Sequence, residues 1–275
     1  MAIQWYPGHM HKARKKIVEA MPKIDLVIEV VDARLPFSSE NPLVTELRGD
    51  RPCIKILNKS DLADPLVTKA WLDHLEQERG VKALAMTSEK PGQIRKISSI
   101  CRQLLPGKSQ KEKRIRTMIM GIPNVGKSTL INILTGKIIA KVGNEPAVTK
   151  AQQKIYLDNG IVLSDTPGIL WPKIEDENSG YRLAVTGAIK NTAIEYEDIA
   201  LYAAGFLLES YPQRVMDRYK LKELPISDEQ LLDVIGRKRG GLRSGGMVDL
   251  HKASEVLIHD LRSGALGRVS LERPV

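Results

Sequence analysis

The stretch IRTMIMGIPNVGKST, residues 115–129, joins an apolar run to a glycine-bounded loop and constrains the fold more than any other part of the chain. The loop matches the pattern Gly-x-x-x-x-Gly-Lys-Ser from Gly121 to Ser128. Between a buried strand and a helix, such a loop points backbone N–H groups at a phosphate, and the helix N-terminus adds positive charge. The pattern therefore predicts an α/β fold with a phosphate-binding loop. The predicted contacts are Asn124, Val125, Gly126, Lys127, Ser128 and Thr129.

Apolar runs of the kind that are buried on both faces of a parallel sheet recur along the first part of the chain. They occupy residues 24–33, 52–58, 81–87, 115–121, 153–157 and 161–165. Helical patterns at 65–80 and 90–105 separate several of them. This alternation predicts a mostly parallel six-stranded sheet with helices on both faces.

The strand signals stop after residue 172, and the apolar spacing becomes helical. We therefore expect residues 1–177 to form the α/β domain and residues 178–275 a small all-helical domain. In the second domain, Ser227 and Gln230 form a capping box for a helix expected to end at Gly236. Gly264 is expected to stop a last helix.

Three residues are predicted to hold Mg²⁺ beside the phosphates. Asp165 begins DTPG at the end of a strand, where its carboxylate can hold the ion through a water. The Ser128 hydroxyl and Thr149, in the loop between the two motifs, complete the predicted metal ligands. Lys127 is expected to bridge the β- and γ-phosphates as the catalytic cation, and the N–H of Gly168 to sense the γ-phosphate.

The stretch NKSD, residues 58–61, predicts that the bound base is guanine. The Asp61 carboxylate can accept hydrogen bonds from N1–H and the N2 amino group, and adenine offers neither. Asn58 can bond the O6/N7 edge, while the stem of Lys59 lies along the base. In TSE, residues 87–89, Thr87 and Ser88 also follow a strand, and the Ser88 N–H is placed to contact O6.

The guanine motif precedes the phosphate loop, which reverses the order found in most proteins that carry both. Ligands of open α/β sheets bind at the carboxyl ends of the strands. Asn58, Thr87, Gly121 and Asp165 all follow strand ends, so one crevice can collect them in any chain order. Residues 106–114 then join what are elsewhere the two termini. The order indicates a circularly permuted domain with an intact site.

The net charge of +9 is concentrated in residues 1–18 and 107–116. Two short basic stretches favour a polyanionic partner over general solubility, although a solvated face is the simpler alternative. The aromatic content of 4 % argues against platforms that stack on single-stranded bases.

No apolar run is long enough to span a membrane, and Cys53 and Cys101 have no metal-binding spacing. We expect a monomeric cytoplasmic protein with no membrane partner.

The motif order resembles that of the circularly permuted GTPases. WYPGHMHKA (5–13), VVDARLPFSSENP (30–42) and DTPGILWPK (165–173) are similar to the ribosome biogenesis GTPase A (YlqF) family, over essentially the whole chain. The resemblance implies a permuted P-loop GTPase domain followed by a helical, RNA-binding domain. It implies GTP as substrate, Mg²⁺ as cofactor, and a precursor of the large ribosomal subunit with its ribosomal RNA as partner.

Two alternatives to an RNA-associated GTPase stay open at this point. One is a GTPase switch with a non-RNA protein partner, and the other is an RNA-binding scaffold that holds GTP without turnover. Ile169 supports the second, because many GTPases place a glutamine after DTPG to orient the attacking water. Slow intrinsic hydrolysis is expected, stimulated by the ribosomal particle.

Two residues carry weaker predictions about catalysis. His9 follows Pro7-Gly8 and falls off the apolar stripe of a short helix, so it is either a catalytic residue that replaces the missing glutamine or an RNA contact. Asn124 resembles the asparagine of potassium-activated GTPases, which makes K⁺ a possible second cofactor. Its alternative role is to shape the loop.

Overall fold

The computed structural model describes residues 8–109, 114–138, 153–157, 160–171, 174, 176–189, 195–243 and 245–274. The described residues divide into two compact units. One contains residues 8–171 together with 272–274, and the other contains residues 174–271. No helix among the described residues is long and apolar enough to cross a membrane.

The first unit is built on a six-stranded sheet with the order β3-β2-β1-β4-β6-β5. Its strands are β1 (Leu26–Asp32), β2 (Cys53–Asn58), β3 (Val81–Ala85), β4 (Ile115–Met120), β5 (Gln153–Tyr156) and β6 (Ile161–Asp165). All neighbouring pairs are parallel except β5 with β6, which places one antiparallel strand at an edge. β1 and β2 are buried along their whole length, as their continuous apolar sequences predict. The predicted mostly parallel six-stranded sheet is confirmed.

Short helices connect and cover the strands of the first unit. They are α1 (Gly8–Ala20), α2 (Pro36–Ser39), α3 (Pro42–Arg48), α4 (Pro65–Leu75), α5 (Pro91–Arg95), α6 (Ile97–Leu104), α7 (Pro106–Ser109) and α8 (Lys127–Thr135).

Two of the predicted helices were too long. The helix predicted for 65–80 ends at Leu75, because the chain turns into β3 through Gly80 at a φ of +76°. The helix predicted for 90–105 is divided into two helices that meet at Lys96. This residue is the C-cap of α5 and the N-cap of α6.

In the described part of the second unit the regular elements are helices, with one isolated β-bridge between Leu242 and Val248. Its helices are α9 (Glu177–Val185), α10 (Tyr196–Ser210), α11 (Pro212–Tyr219), α12 (Asp228–Arg239) and α13 (Leu250–Ser263). Half of the predicted capping box is present, since the Ser227 side chain accepts from Gln230 N at 3.2 Å. The Gln230 side chain accepts from Ile226 N at 2.7 Å, one residue before the N-cap N–H that a capping box uses. Gly264 caps α13 as predicted.

The predicted end of α12 was wrong. The helix runs past Gly236 to Arg239, and Gly240 caps it at a φ of +78°. Gly236 is a packing residue instead, because a Cβ at that position would overlap the Val248 side chain. Its role is to let the helix approach a neighbouring segment closely.

Residue Glu272 packs against the first unit after the chain has completed the helices of the second. Its carboxylate accepts from Ser38 N at 3.0 Å and from the Ser38 hydroxyl at 2.5 Å. Its carbonyl accepts from Trp71 Nε1 at 3.3 Å. No sequence motif marks this return.

Candidate nucleotide-binding site

One hydrogen bond joins the two motifs whose order is reversed in the chain. Asn58 ends β2 and is buried, and its side-chain amide donates to the carbonyl of Val125 at 2.7 Å. The first residue of NKSD therefore touches the middle of the phosphate loop. The neighbouring strands β2, β1, β4 and β6 bring their carboxyl ends to the same edge of the sheet. The two motifs therefore lie together at one edge of the sheet, despite their reversed order in the chain.

The phosphate loop needs its glycines for two physical reasons. Gly121 and Gly126 adopt φ values of +150° and +97°, which disfavour a side chain. A Cβ at Gly121 would also overlap the carbonyl of Val30, and one at Gly126 would overlap the Asn58 amide. α8 begins immediately afterwards at Lys127, so the free N–H groups of its first turn face the loop.

Lys127 and Asp165 are both buried and influence each other electrostatically. The Lys127 ammonium donates to the carbonyls of Gly121 at 3.0 Å and Ile122 at 2.7 Å. Burial lowers the pKa of Lys127 to about 8, although the nearby Asp165 opposes this shift. Burial raises the pKa of Asp165 to about 6, and Lys127 opposes that shift in turn. A bound polyphosphate would favour the charged form of Lys127.

The DTPG segment is held against β4 and the phosphate loop by one side-chain hydrogen bond and by close backbone packing. The Thr166 hydroxyl donates to the carbonyl of Ile119 at 2.6 Å. Gly168 approaches so closely that a Cβ there would lie 2.9 Å from the backbone of Pro123. The following Ile169 donates its N–H to the Gly121 carbonyl at 3.3 Å. Gly168 is thus placed beside the predicted phosphate position, and a larger residue would push the two segments apart.

Lys59 is positioned by two residues that sequence reasoning did not select. Its backbone is left-handed, with a φ of +59°, and its ammonium donates to Asp32 Oδ2 at 2.9 Å. Arg34 holds the same carboxylate through Nε and Nη2, both at 2.9 Å. Burial alone would raise the pKa of Asp32, but Arg34 and Lys59 hold it well below its usual range. Since Asp32 ends β1, the rule that located the other residues at strand ends could have found it.

The TSE segment lies beside NKSD through backbone pairing. The N–H of Ser60 donates to the carbonyl of Met86 at 3.0 Å, and the N–H of Met86 donates to that of Leu57 at 2.9 Å. Thr87 is buried, and its hydroxyl accepts from the N–H of Glu89 at 3.2 Å, while Ser88 is exposed. The segment is adjacent to the residues predicted to contact the base.

The comparisons agree with this geometry. Residues 116–233 match a family model described as "50S ribosome-binding GTPase". "Ribosome biogenesis GTPase A" of Priestia megaterium is 48% identical to this chain, and the alignment covers 100% of this chain and 98% of that protein. "Mitochondrial ribosome-associated GTPase 1" of Mus musculus is 34% identical, and the alignment covers 99% of this chain and 90% of that protein. The crystal structure of GNP-bound YlqF from T. maritima has a TM-score of 0.67 and 29% identity, covering 96% of this chain and 98% of that one.

This chain belongs to the ribosome biogenesis GTPase A family. It is therefore an enzyme that hydrolyses GTP to GDP and phosphate. Family membership supports turnover over the alternative in which GTP is held without hydrolysis.

The donor atoms of this GTPase fit Mg²⁺. Ser128 offers a hydroxyl in the first turn of α8, and Asp165 offers a carboxylate, and both are the hard oxygen ligands that this ion prefers. Asp165 Oδ1 is buried and has no hydrogen-bond partner among the described residues. A hydrated cation would satisfy that oxygen.

Two predicted site residues cannot be placed. Thr149 lies outside the described residues. The backbone of His9 belongs to α1, but its side chain lies outside the described part of the structure.

Proposed function

We propose that this GTPase is an assembly factor for a precursor of the large ribosomal subunit, and that the particle stimulates its slow intrinsic hydrolysis. The names of the family model and of the relatives support a ribosomal partner. The two basic stretches support contact with ribosomal RNA. In this proposal the chain acts as a cytoplasmic monomer.

The observation that carries the stimulated mechanism is the environment of Ile169. Its side chain is apolar and only 3 % exposed. Its backbone is held on both sides, because its carbonyl accepts from the Asn41 amide at 2.8 Å and its N–H bonds Gly121. A buried isoleucine can neither accept a proton nor orient a water. The residue after DTPG therefore adds nothing to catalysis, and the missing group must come from elsewhere in the chain or from the partner.

The base would be read by Asn58, Lys59 and Asp61, with Thr87 and Ser88 alongside. Asn58 donates one amide hydrogen to the carbonyl of Val125. An amide carries two N–H donors and an acceptor oxygen, so the second hydrogen remains for the O6/N7 edge of guanine. Base recognition and the shape of the phosphate loop are thereby coupled through one side chain.

The phosphates would be bound by the loop backbone and by Lys127. The ammonium would exchange its present carbonyl partners for β- and γ-oxygens and stabilise the charge that develops there. Ser128, Asp165 and Thr149 would hold Mg²⁺, which neutralises negative charge between the same phosphates when bound. The N–H of Gly168 would donate to the γ-phosphate.

We also propose K⁺ as a second cation, held with the help of Asn124. This residue adopts a φ of +60° inside the phosphate loop, a conformation that asparagine tolerates better than most residues. Replacement of KCl by NaCl at equal ionic strength is expected to slow hydrolysis in the wild type. Equal rates in the two salts would leave Asn124 with a loop-shaping role only.

Single-turnover hydrolysis measured with purified ribosomal subunits tests the proposal. Large subunits are expected to accelerate the reaction by about 10²-fold or more, the lower end of the effect of a positioned general acid or base. Small subunits at equal concentration provide the matched control and are expected to have no effect. Equal stimulation by both, or by neither, would contradict the proposal. Stimulation that is insensitive to salt would favour the non-RNA protein partner instead.

A further inference from the structure

A basic cleft lies in the first unit, beside the amino-terminal end of β4 and along β6. It encloses about 700 Å³ between α1, α7 and the edge strand β5. The cations that line this basic cleft are Lys16, Lys23, Lys108, Arg114, Arg116 and Lys154. The phosphate loop follows the opposite end of β4. Along β4 the described lining reaches Arg116, five residues before Gly121 and so about 16 Å from it at about 3.3 Å per residue. Along β6 the lining reaches Ser164, the residue before Asp165. The described residues that line the basic cleft therefore adjoin the predicted nucleotide site at β6 but include none of its residues.

Both charge-rich stretches of the sequence contribute to the basic cleft. Lys16 comes from the first stretch, residues 1–18, and Lys108, Arg114 and Arg116 come from the second, residues 107–116. The sequence shows two separate excesses of positive charge, whereas the fold brings them to one surface. This convergence is a property of the permuted chain, because the second stretch lies in the connection between the former domain termini.

The protein neutralises only part of this charge. Asp25 pairs with Lys108, and its Oδ2 lies 3.9 Å from Nε of Arg116. Glu19 is the acidic side chain in the described lining. Within the part of the chain that the structure describes, no carboxylate pairs with Lys16 or Lys154. Like charges held together in this way repel one another, and a polyanion would relieve the repulsion.

An exposed tyrosine stands at the rim of the basic cleft. The Tyr156 ring is 62 % exposed on the edge strand β5. The guanidinium carbon of Arg114 lies 5.2 Å from the ring centroid, which is a cation–π distance. One aromatic ring among six cations is typical of a surface that contacts phosphates and sugars more than bases.

We propose that the basic cleft binds the sugar-phosphate backbone of RNA, through residues other than those predicted to bind GTP. Each lysine or arginine that neutralises a phosphate releases a condensed counterion, so binding here is expected to weaken steeply with salt. The inference rests on the proposed function in naming RNA as the partner, but its readout is RNA binding and needs neither GTP hydrolysis nor ribosomal particles.

The test compares two triple variants of the full chain in binding to a short fluorescein-labelled RNA duplex. Lys16→Gln, Arg114→Gln and Lys154→Gln remove three charges from three segments of the basic cleft. Arg79→Gln, Arg95→Gln and Lys96→Gln remove three exposed charges elsewhere in the same unit and serve as the control. The two variants have the same net charge, so a difference in their RNA affinities reports the position of the removed charges. GTP-analogue binding and thermal unfolding are measured for both to show that each is folded.

The cleft variant is expected to bind the duplex roughly tenfold more weakly or worse. The slope of log K against log salt should become shallower by about 2.7, since each of the three lost phosphate contacts on a duplex removes about 0.9. The control variant is expected to stay close to wild type. Equal RNA affinities and slopes in the two triples would overturn the inference. So would a polyglutamate peptide that competes as well as unlabelled duplex for the wild type, because the cleft would then fit an acidic protein. A wild type that binds RNA through the cleft yet is not stimulated by large subunits would refute the proposed function alone.

Discussion

Asp61 shows how one residue can set the choice of nucleotide. Its carboxylate would accept from N1–H and N2 of guanine, and hydrogen bonds to a charged group contribute about 1.5–3 kcal/mol each. Asp61→Asn replaces one acceptor oxygen with a donor, so we expect GTP affinity to fall at least tenfold, measured by calorimetry. Xanthosine triphosphate, which carries an oxygen at position 2, should bind the variant better than GTP does. Unchanged GTP affinity would remove NKSD from the site.

The residues around Asp61 explain why some contacts were predictable and others were not. Asn58 and Gly126 belong to motifs with a fixed spacing, and each motif implies a chemical role. The overlap that a Cβ at Gly126 would make with Asn58 follows from the fold alone, because the two residues are distant in the chain. Asp32 and Arg34 carry no spacing signature of their own. Their pairing with Lys59 depends on β1 lying beside β2.

At the scale of secondary-structure elements, the buried strands were the most predictable feature. β1 and β2 are continuous apolar runs, and few other structures bury such runs on both sides. Helix ends were less predictable, since a glycine can stop a helix or let it pack closely. Gly264 does the first and Gly236 the second, and only the position of Val248 distinguishes them. Short helices such as α2 have too few residues to show a periodic pattern.

The paired strands β1 and β2 also bury a cluster of charges, and that cluster predicts a pH effect. Glu29 lies opposite Lys55 in the register, and Lys55 pairs with Glu40 at 2.5 Å and Glu78 at 3.3 Å. Burial, with the neighbouring Glu40, raises the pKa of Glu29 to about 8. Glu29 is therefore protonated in the folded chain at neutral pH, while it is ionised in the unfolded chain. Because the pKa of Glu29 is raised in the folded chain, the stability that Glu29 contributes is full below about pH 4.5. That contribution is lost as the pH rises to about 8.

Glu29→Gln should remove this pH dependence. The variant is expected to match wild type in thermal stability at about pH 4, where Glu29 is protonated in both the folded and the unfolded chain. Its advantage over wild type should then grow by up to about 1.4 kcal/mol per pH unit until about pH 8. Thermal unfolding across this range measures the difference, with the exposed Glu46→Gln on α3 as the control. A constant difference between Glu29→Gln and wild type at all pH values would show that Glu29 does not titrate in this range.

At the scale of the whole molecule, the chain stabilises its first unit with a residue that follows the second. Glu272→Ala would leave the N–H and hydroxyl of Ser38 without their buried partner. We expect a loss of about 1–3 kcal/mol from the first unit. All three tryptophans precede residue 174 in the sequence. Urea unfolding monitored by tryptophan fluorescence therefore reports the stability of the first unit, and the variant should shift its midpoint. The exposed Arg273→Ala should have little effect, and equal midpoints for the two variants would show that Glu272 contributes nothing.

The last prediction concerns the catalytic group that Ile169 cannot supply. His9 lies in α1, close in sequence to the lysines of the first basic stretch, so binding of that stretch to RNA would position the histidine. A neutral imidazole can accept a proton or orient a water, which would make hydrolysis depend on docking. His9→Ala should then lower particle-stimulated turnover by about 10²-fold, the usual effect of a general base, while nucleotide and particle affinities hold. His11→Ala, two residues away in the same helix, is the matched control and should keep the stimulation. If His9→Ala loses particle binding together with turnover, the residue is an RNA contact, and the partner itself must provide the catalytic group.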